Sequence, residues 1–275
     1  MQVQTIPYAT HPTRKGERVL EADLYLPSGD HAPADLLVWM HSGGFRTGSR
    51  SHRNHGQLAA EFARHGIASA FIDYRLARPP AILTARSEAL LPALIAEARN
   101  IGEEMHETFF GARPLGVVED CCAFLNLAAL RAQEWNLTGR ILLGGSSAGA
   151  ISALNVLHLA PALGLDRPLI ATVLAYSGGF AFPSRIAPTG ARILAQANPN
   201  DARVPISSIR RYHAAQREAG ADACMLIEHD AYAHGELRLS QSEALSDAVA
   251  RAVAFDRSSD PSALQVGLIG ARLVR

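Results

Sequence analysis

Residues 141–153 read Ile-Leu-Leu-Gly-Gly-Ser-Ser-Ala-Gly-Ala-Ile-Ser-Ala, a short apolar run that meets a turn of small residues. Ile141, Leu142 and Leu143 predict the end of a buried strand, and Ala148 to Leu159 predicts a helix. Gly145-Ser146-Ser147-Ala148-Gly149 is then a strand-to-helix corner of GxSxG form with Ser147 at its apex. Small residues belong on both sides because the apex backbone is strained and its neighbours run close to other backbone. Such a corner exposes the Ser147 hydroxyl at a helix N-terminus. There the Ala148 N–H and the helix dipole face negative charge developing on an attacked carbonyl. A plain small-residue turn explains the same letters, so the rest of the chain has to choose between them.

Towards the N-terminus, Leu36 to Met40 is a continuous apolar run, as in a strand covered on both faces, and it leads into His41-Ser42-Gly43-Gly44-Phe45. Two glycines after a buried strand leave backbone N–H groups that can converge on one anion, so Gly43 and Gly44 are the expected oxyanion donors. His41 reads as the organiser of this loop through hydrogen bonds to backbone. Arg18 to Leu26 alternates loosely between polar and apolar residues and predicts an antiparallel edge strand that starts the sheet. His52 and His55 have the spacing of a metal pair, but no acidic or cysteine partner accompanies them, and a solvated helix face is expected. Gln57 to His65 continues that helix, and Ile67 to Ile72 is the next buried strand.

The stretch of about 79–115 is the least regular. Pro92 can open a helix there, and Leu91, Leu94, Ile95, Ala98, Ile101 and Met105 recur at helical spacing. An extra helix packed on the core and a cap over the site both fit this pattern. In the second case Phe109 and Phe110 line an apolar pocket. Val118 to Trp135 predicts another helix, with Cys121, Cys122 and Leu125 on its buried face.

Beyond the corner, Leu169 to Ala175 is a further buried strand. It continues into Tyr176-Ser177-Gly178-Gly179-Phe180, either a glycine turn or a wall of the pocket through Phe180. Arg192 to Ala197 is the next strand, and Asp201 falls in the loop after it, where a cap or turn role is the ordinary alternative. Ala223 to Glu228 is the last predicted strand. Of the two histidines that follow, His229 is read as structural. His234, followed by a glycine, has the freedom to reach over the sheet edge. Leu237 to Phe255 predicts the closing helix.

Composition bounds the function. A chain of 275 residues with 48% hydrophobic residues can bury a substantial core in one domain. Its 26 basic and 26 acidic residues cancel, which removes the broad attraction that a nucleic-acid or anionic-membrane binder needs. Three cysteines make neither an even disulfide framework nor a CxxC pair. The N-terminal residues carry no signal-peptide pattern and no apolar run has transmembrane length, so a cytoplasmic protein is expected.

The order of the groups along the chain decides between the alternatives: paired glycines after an early strand, then Ser147, then Asp201, then His234, each just past a predicted strand. With these motifs the chain resembles the α/β-hydrolase superfamily, and within it the esterases of the hormone-sensitive-lipase and small bacterial carboxylesterase kind. His41 to Phe45 is similar to their HGGG motif with Ser42 in place of the first glycine. Asp73-Tyr74-Arg75-Leu76 is similar to their DYRL stretch. Asp201-Ala202-Arg203-Val204-Pro205 is similar to their DxxVP motif, and His234-Gly235 to their final HG. The resemblance covers roughly residues 18 to 255. It implies an α/β-hydrolase fold with a mostly parallel sheet flanked by helices, and hydrolysis of carboxylic esters, with short-chain acyl groups expected. The catalytic triad is then Ser147, Asp201 and His234, the oxyanion hole Gly43, Gly44 and Ala148, and the pocket includes Phe45, Phe109, Phe110 and Phe180. No metal and no cofactor is required. The expected partner is a small-molecule ester, with neither nucleic acid nor membrane, and a homodimer stays open. Amide or formamide hydrolysis, acyl transfer and a non-catalytic binding protein on this fold are the alternatives.

Overall fold

The computed structural model describes residues 1–13, 16–29, 32–76, 82–221, 223–259 and 271–274. Its first strand is one that composition conceals. Gln2–Thr13 (β1) contains Pro7 and Pro12 and yet pairs antiparallel with Gly16–Leu26 (β2), with a register shift between Pro7 and Ala9. Prolines, lacking an N–H, are tolerated on an edge strand and at a bulge, and β1 is the edge. The expectation that Arg18 to Leu26 forms the edge is therefore corrected: β2 lies inside the sheet, between β1 and Ile67–Ile72 (β4).

The apolar runs form the middle of the sheet. Ala34–Met40 (β3), Leu137–Ser146 (β5), Ile170–Tyr176 (β6), Arg192–Ala197 (β7) and Cys224–His229 (β8) lie parallel with β4 in the order β4-β3-β5-β6-β7-β8. Ala271–Val274 (β9) closes the other edge, antiparallel to β8. Successive strand residues point to opposite faces, and this splits the core in two. Leu36, Val38, Met40, Ile141, Leu143 and Val173 face one side, while Leu37, Trp39, Leu142, Leu174 and Leu194 face the other.

The first face is covered by Ala85–Asn100 (α2), Ala112–Leu130 (α3), Ala148–Leu159 (α4) and Ile206–Glu218 (α5), and the second by His55–Ala63 (α1) and Leu245–Arg257 (α6). Three boundaries differ from expectation. Helix α2 starts at Ala85, capped by the Thr84 hydroxyl that accepts the Ser87 N–H, and Pro92 lies inside it. Helix α3 starts at Ala112 and ends at Leu130, with Pro114 in its first turn, where no intrahelical N–H is needed. The closing helix starts at Leu245, because residues 230–244 form a loop held by its own bonds. Tyr232 Oη donates to Ser240 O at 3.2 Å, and Gln241 Nε2 donates to Ala231 O at 2.9 Å. The expected solvated histidine pair is corrected in one half: His52 is exposed, whereas His55 is buried and stacked on Phe71 at 4.1 Å.

Residues 79–81 of the irregular stretch lie outside the described residues. From Ile82 onward it is pinned at several points. Glu119 accepts from the Thr84 N–H and hydroxyl at 2.9 and 2.7 Å, and Glu97 pairs with Arg185 at 2.9 Å. The buried carboxylate of Glu103 pairs with Arg211 of α5 at 2.8 Å. Leu94, Ala98 and Met105 are buried against the core, while Ile101 is exposed.

Candidate active site

The corner after β5 is built by sterics. Ser147 has φ 55° and ψ −119°, and its N–H donates to Tyr176 O at 2.8 Å. A Cβ on Gly145 would come within 2.4 Å of the Gly149 carbonyl carbon, and one on Gly149 would sit 1.9 Å from Met40 O. Glycine at both positions lets α4 start against the end of β3. Ala148 is the first residue of that helix, so its N–H has no intrahelical acceptor.

The end of β3 carries the glycine loop. His41 is buried, stacked on Tyr74 at 4.0 Å, and its Nδ1 donates to Ser42 O at 2.6 Å, which makes it the loop organiser its position implies. Tyr74 Oη in turn donates to His41 O at 2.7 Å. Burial lowers the His41 pKa against the opposing effect of its backbone bond. Gly43 has φ 120° and its missing Cβ would meet Thr47 O at 2.0 Å, while Gly44 and Phe45 both have φ 61°. The Gly43 and Gly44 N–H groups have no acceptor among the described residues.

Asp201 and His234 meet directly. His234 Nδ1 donates to Asp201 Oδ2 at 2.5 Å, and Asp201 Oδ1 accepts the N–H groups of Arg203 and Val204 at 2.8 and 3.1 Å. Burial pushes the Asp201 carboxyl up, but the bonds from His234, Arg203 and Val204 outweigh it and hold the pKa below the usual carboxylate value. The other ring nitrogen, His234 Nε2, is buried and makes no hydrogen bond to Ser147 or to any other described residue. Catalytic bonds of this kind are often long without substrate and tighten when it binds.

Two residues that sequence reading missed fix this pair. Ser177, at the end of β6, accepts the Gly235 N–H on its hydroxyl at 2.7 Å while its own N–H donates to Gln196 O at 2.7 Å. Asn198, at the end of β7, donates to Tyr232 O at 2.8 Å and accepts the Asn200 N–H at 2.6 Å, joining the Asp201 loop to the His234 loop. Of the four described non-glycine residues at positive φ, three surround this site: Phe45, Ser147 and Ser177. Strain of this kind persists where surrounding structure enforces it, and it clusters at functional sites.

The four phenylalanines expected in a pocket all belong to the core on the first face of the sheet, Phe109 at its margin. Phe45, Phe110 and Phe180 are buried in the core, Phe180 with no exposed surface and packed against His158, Phe182 and Tyr212. Their aromatic area is removed from water by neighbours distant in the sequence, which local pattern does not reveal. Phe109 is half-buried, 6.1 Å from Phe45. His229 is buried at the end of β8, and its Nδ1 makes no hydrogen bond to a described residue.

Neither a protein-family model nor a curated protein matches the chain. Solved structures do. A lipase/esterase from Lactobacillus plantarum superposes with a TM-score of 0.63 at 13% identity, over 92% of this chain and 97% of that one. Esterase 2 of the Planctomycetes species Thermogutta terrifontis superposes with a TM-score of 0.66 at 16% identity, over 92% of this chain and 91% of that one. The same Thermogutta enzyme phosphorylated by paraoxon gives 0.65 at 16% identity, over 92% and 93%. The fold is the α/β-hydrolase fold. In this α/β-hydrolase fold Gly43-Gly44, Ser147, Asp201 and His234 follow β3, β5, β7 and β8, all at the carboxyl edge of parallel strands. No helix among the described residues is long and apolar enough to cross a membrane.

Proposed function

We propose that the protein is a serine hydrolase of carboxylic esters. The observation that carries this reading is the 2.5 Å bond from His234 Nδ1 to Asp201 Oδ2. A carboxylate accepts, so Nδ1 holds the proton and the buried Nε2 is left as the basic nitrogen. The strained apex at Ser147 supplies the hydroxyl for it, and the two loops adjoin: Gly235 N–H reaches Ser177, whose neighbour Tyr176 takes the Ser147 N–H.

Ser147 Oγ attacks the ester carbonyl while His234 Nε2 takes its proton, and Asp201 stabilises the imidazolium. The carbonyl oxygen becomes an oxyanion that accepts from the Gly43, Gly44 and Ala148 N–H groups, each such donor being worth about 3 kcal/mol of barrier. Collapse breaks the ester C–O bond, His234 protonates the leaving alcohol, and the acyl group stays on Ser147. Water then attacks the acyl-enzyme with His234 as base, releasing the acid and restoring the serine.

The candidate cap at about 79–115 is tied to α3 through Glu119 and to α5 through Glu103, which fits a cap and an extra helix on the core alike. Three unpaired cysteines, Cys121 and Cys122 of them buried, support a reducing compartment such as the cytoplasm. The test is hydrolysis of p-nitrophenyl acetate. Ser147→Ala loses more than about 1000-fold in kcat, whereas Ser146→Ala keeps most of it; a reversed order rejects the assignment.

A further inference from the structure

Three residues past His234 the chain turns inward. Leu237 and Leu239 are buried in the core on the second face of the sheet, which α6 covers with Ala248, Val249, Ala252 and Val253. Their backbone is carried in with them, and residues 230–244 form neither a helix nor a strand that could pair it. A buried N–H or carbonyl without a partner costs about as much as a lost hydrogen bond. The side chains of one ion pair supply the partners. Arg251 of α6 donates from Nη2 to Leu237 O at 2.8 Å and pairs through Nη1 with Glu243, whose Oε2 accepts the Leu239 N–H at 2.5 Å. The Leu237 N–H is taken by Glu236 at 2.9 Å.

Both charged side chains are about nine-tenths buried, Arg251 at 10% exposure and Glu243 at 9%, so each requires the other's charge. Tyr176, Met225 and Ile227 belong to the second face, and strand alternation puts His229 there as well. Burial raises the Tyr176 pKa, and burial with the Arg251 charge lowers that of His229, so both face the guanidinium as neutral groups. Glu243 is left as its counter-charge. Three residues of chain reach at most about 10 Å, so fixing Leu237 restricts where His234 can sit. The other two ties of this loop run to the sheet, from Gly235 to Ser177 and from Tyr232 to Asn198.

Building on the esterase reading, we infer that Arg251 is a positioning residue for the base: its guanidinium, bridging Leu237 O and Glu243, ties the His234 loop to α6. The test measures kcat and KM on p-nitrophenyl acetate, well below the melting temperature, for the parent, Arg251→Met, Arg251→Lys and Arg140→Met. Arg140 is the control, because it pairs with Asp256 of the same helix at 2.7 Å but at the end of β5 remote from Ser147. Arg251→Met lowers kcat about tenfold or more and leaves KM within about twofold, since a base that is slightly misplaced slows the chemistry and not the binding. Arg251→Lys recovers part of the loss and stays about threefold or more below the parent, because an ammonium keeps a cation beside Glu243 without the guanidinium fork. Arg140→Met melts lower and keeps kcat within about twofold. If Arg251→Met does not fold, Arg251→Lys decides alone. An active parent with Arg251→Met, or failing that Arg251→Lys, at parental kcat overturns the inference and leaves the esterase reading intact. A loss that appears in KM, or an equal loss of kcat in Arg140→Met, overturns it too. A folded parent inactive on this ester overturns the esterase reading, and the inference with it.

Discussion

Ser177 Oγ accepts the Gly235 N–H at 2.7 Å, so a residue at the end of β6 holds the one that follows His234. Ser177 has φ 52°, a conformation that costs a non-glycine residue on the order of 1–3 kcal/mol. Ser177→Ala removes the bond and keeps the strain; Ser177→Gly removes both. Both variants are expected to lose about tenfold or more in kcat with little change in KM, since a small misplacement of the base is costly. The glycine variant melts no lower than the alanine variant. Steady-state kinetics and thermal melts check this, and unchanged kcat in both contradicts it.

Gly149→Ala is expected to destabilise the fold by on the order of 3 kcal/mol and to abolish ester hydrolysis. The added Cβ would sit 1.9 Å from Met40 O, a backbone atom that cannot step aside without moving β3. Denaturant unfolding reads the loss directly. A variant as stable as the parent means that α4 does not start as close to β3 as described.

Arg75 is buried and divides its guanidinium between Asp120 at 2.8 Å and Glu119 at 2.6 Å. Arg75→Ala leaves two buried carboxylates without their cation, which costs about 3–5 kcal/mol. Glu119 also accepts from Thr84, so the variant further loosens the start of α2. Faster hydrogen exchange over residues 84–90, together with a lower unfolding midpoint, is the expected signature.

Acid lowers stability before the carboxylates titrate. Burial depresses the pKa of His55 to about 4 and that of His158 to about 3, the latter with help from Arg167. In the unfolded chain both take up a proton near pH 6.5, whereas in the folded protein they do so only near these lower values. Between those limits the unfolded state binds more protons, so stability is full above about 6.5 and falls as the pH drops towards 4. Unfolding midpoints measured across pH 4–7 check this, and His158→Gln flattens the slope.

The corner at Ser147 is legible because its residues are contiguous in the chain, a serine between glycines at 145 and 149, even though part of the backbone that requires those glycines, Met40, comes from β3. The central strands were legible for a similar reason, since burial on both faces forces continuous apolar runs such as Leu36 to Met40. Strand β1 was hidden because Pro7 and Pro12 break the pattern, and only the edge position, set by the pairing with β2, makes them tolerable. Ser177 and Asn198 carry no local signal at all. Their roles rest on bonds to residues 58 and 34 positions away, and a serine or asparagine after a strand reads like any turn residue. Phe180 carries no decisive local signal either: a loop at the carboxyl edge of β6 fits a glycine turn and a pocket wall alike, and the rings that pack on it, Tyr212 and His158, come from other elements.

In the proposed mechanism Ser147 is the nucleophile, activated by the His234–Asp201 pair. Incubation of the native protein with a fluorophosphonate, followed by proteolysis and mass spectrometry, tests it most directly. The expected result is one adduct, on Ser147, whose formation is lost in His234→Ala although that variant still folds. Label on Ser146 or elsewhere, or no label on the folded wild-type chain, would contradict it.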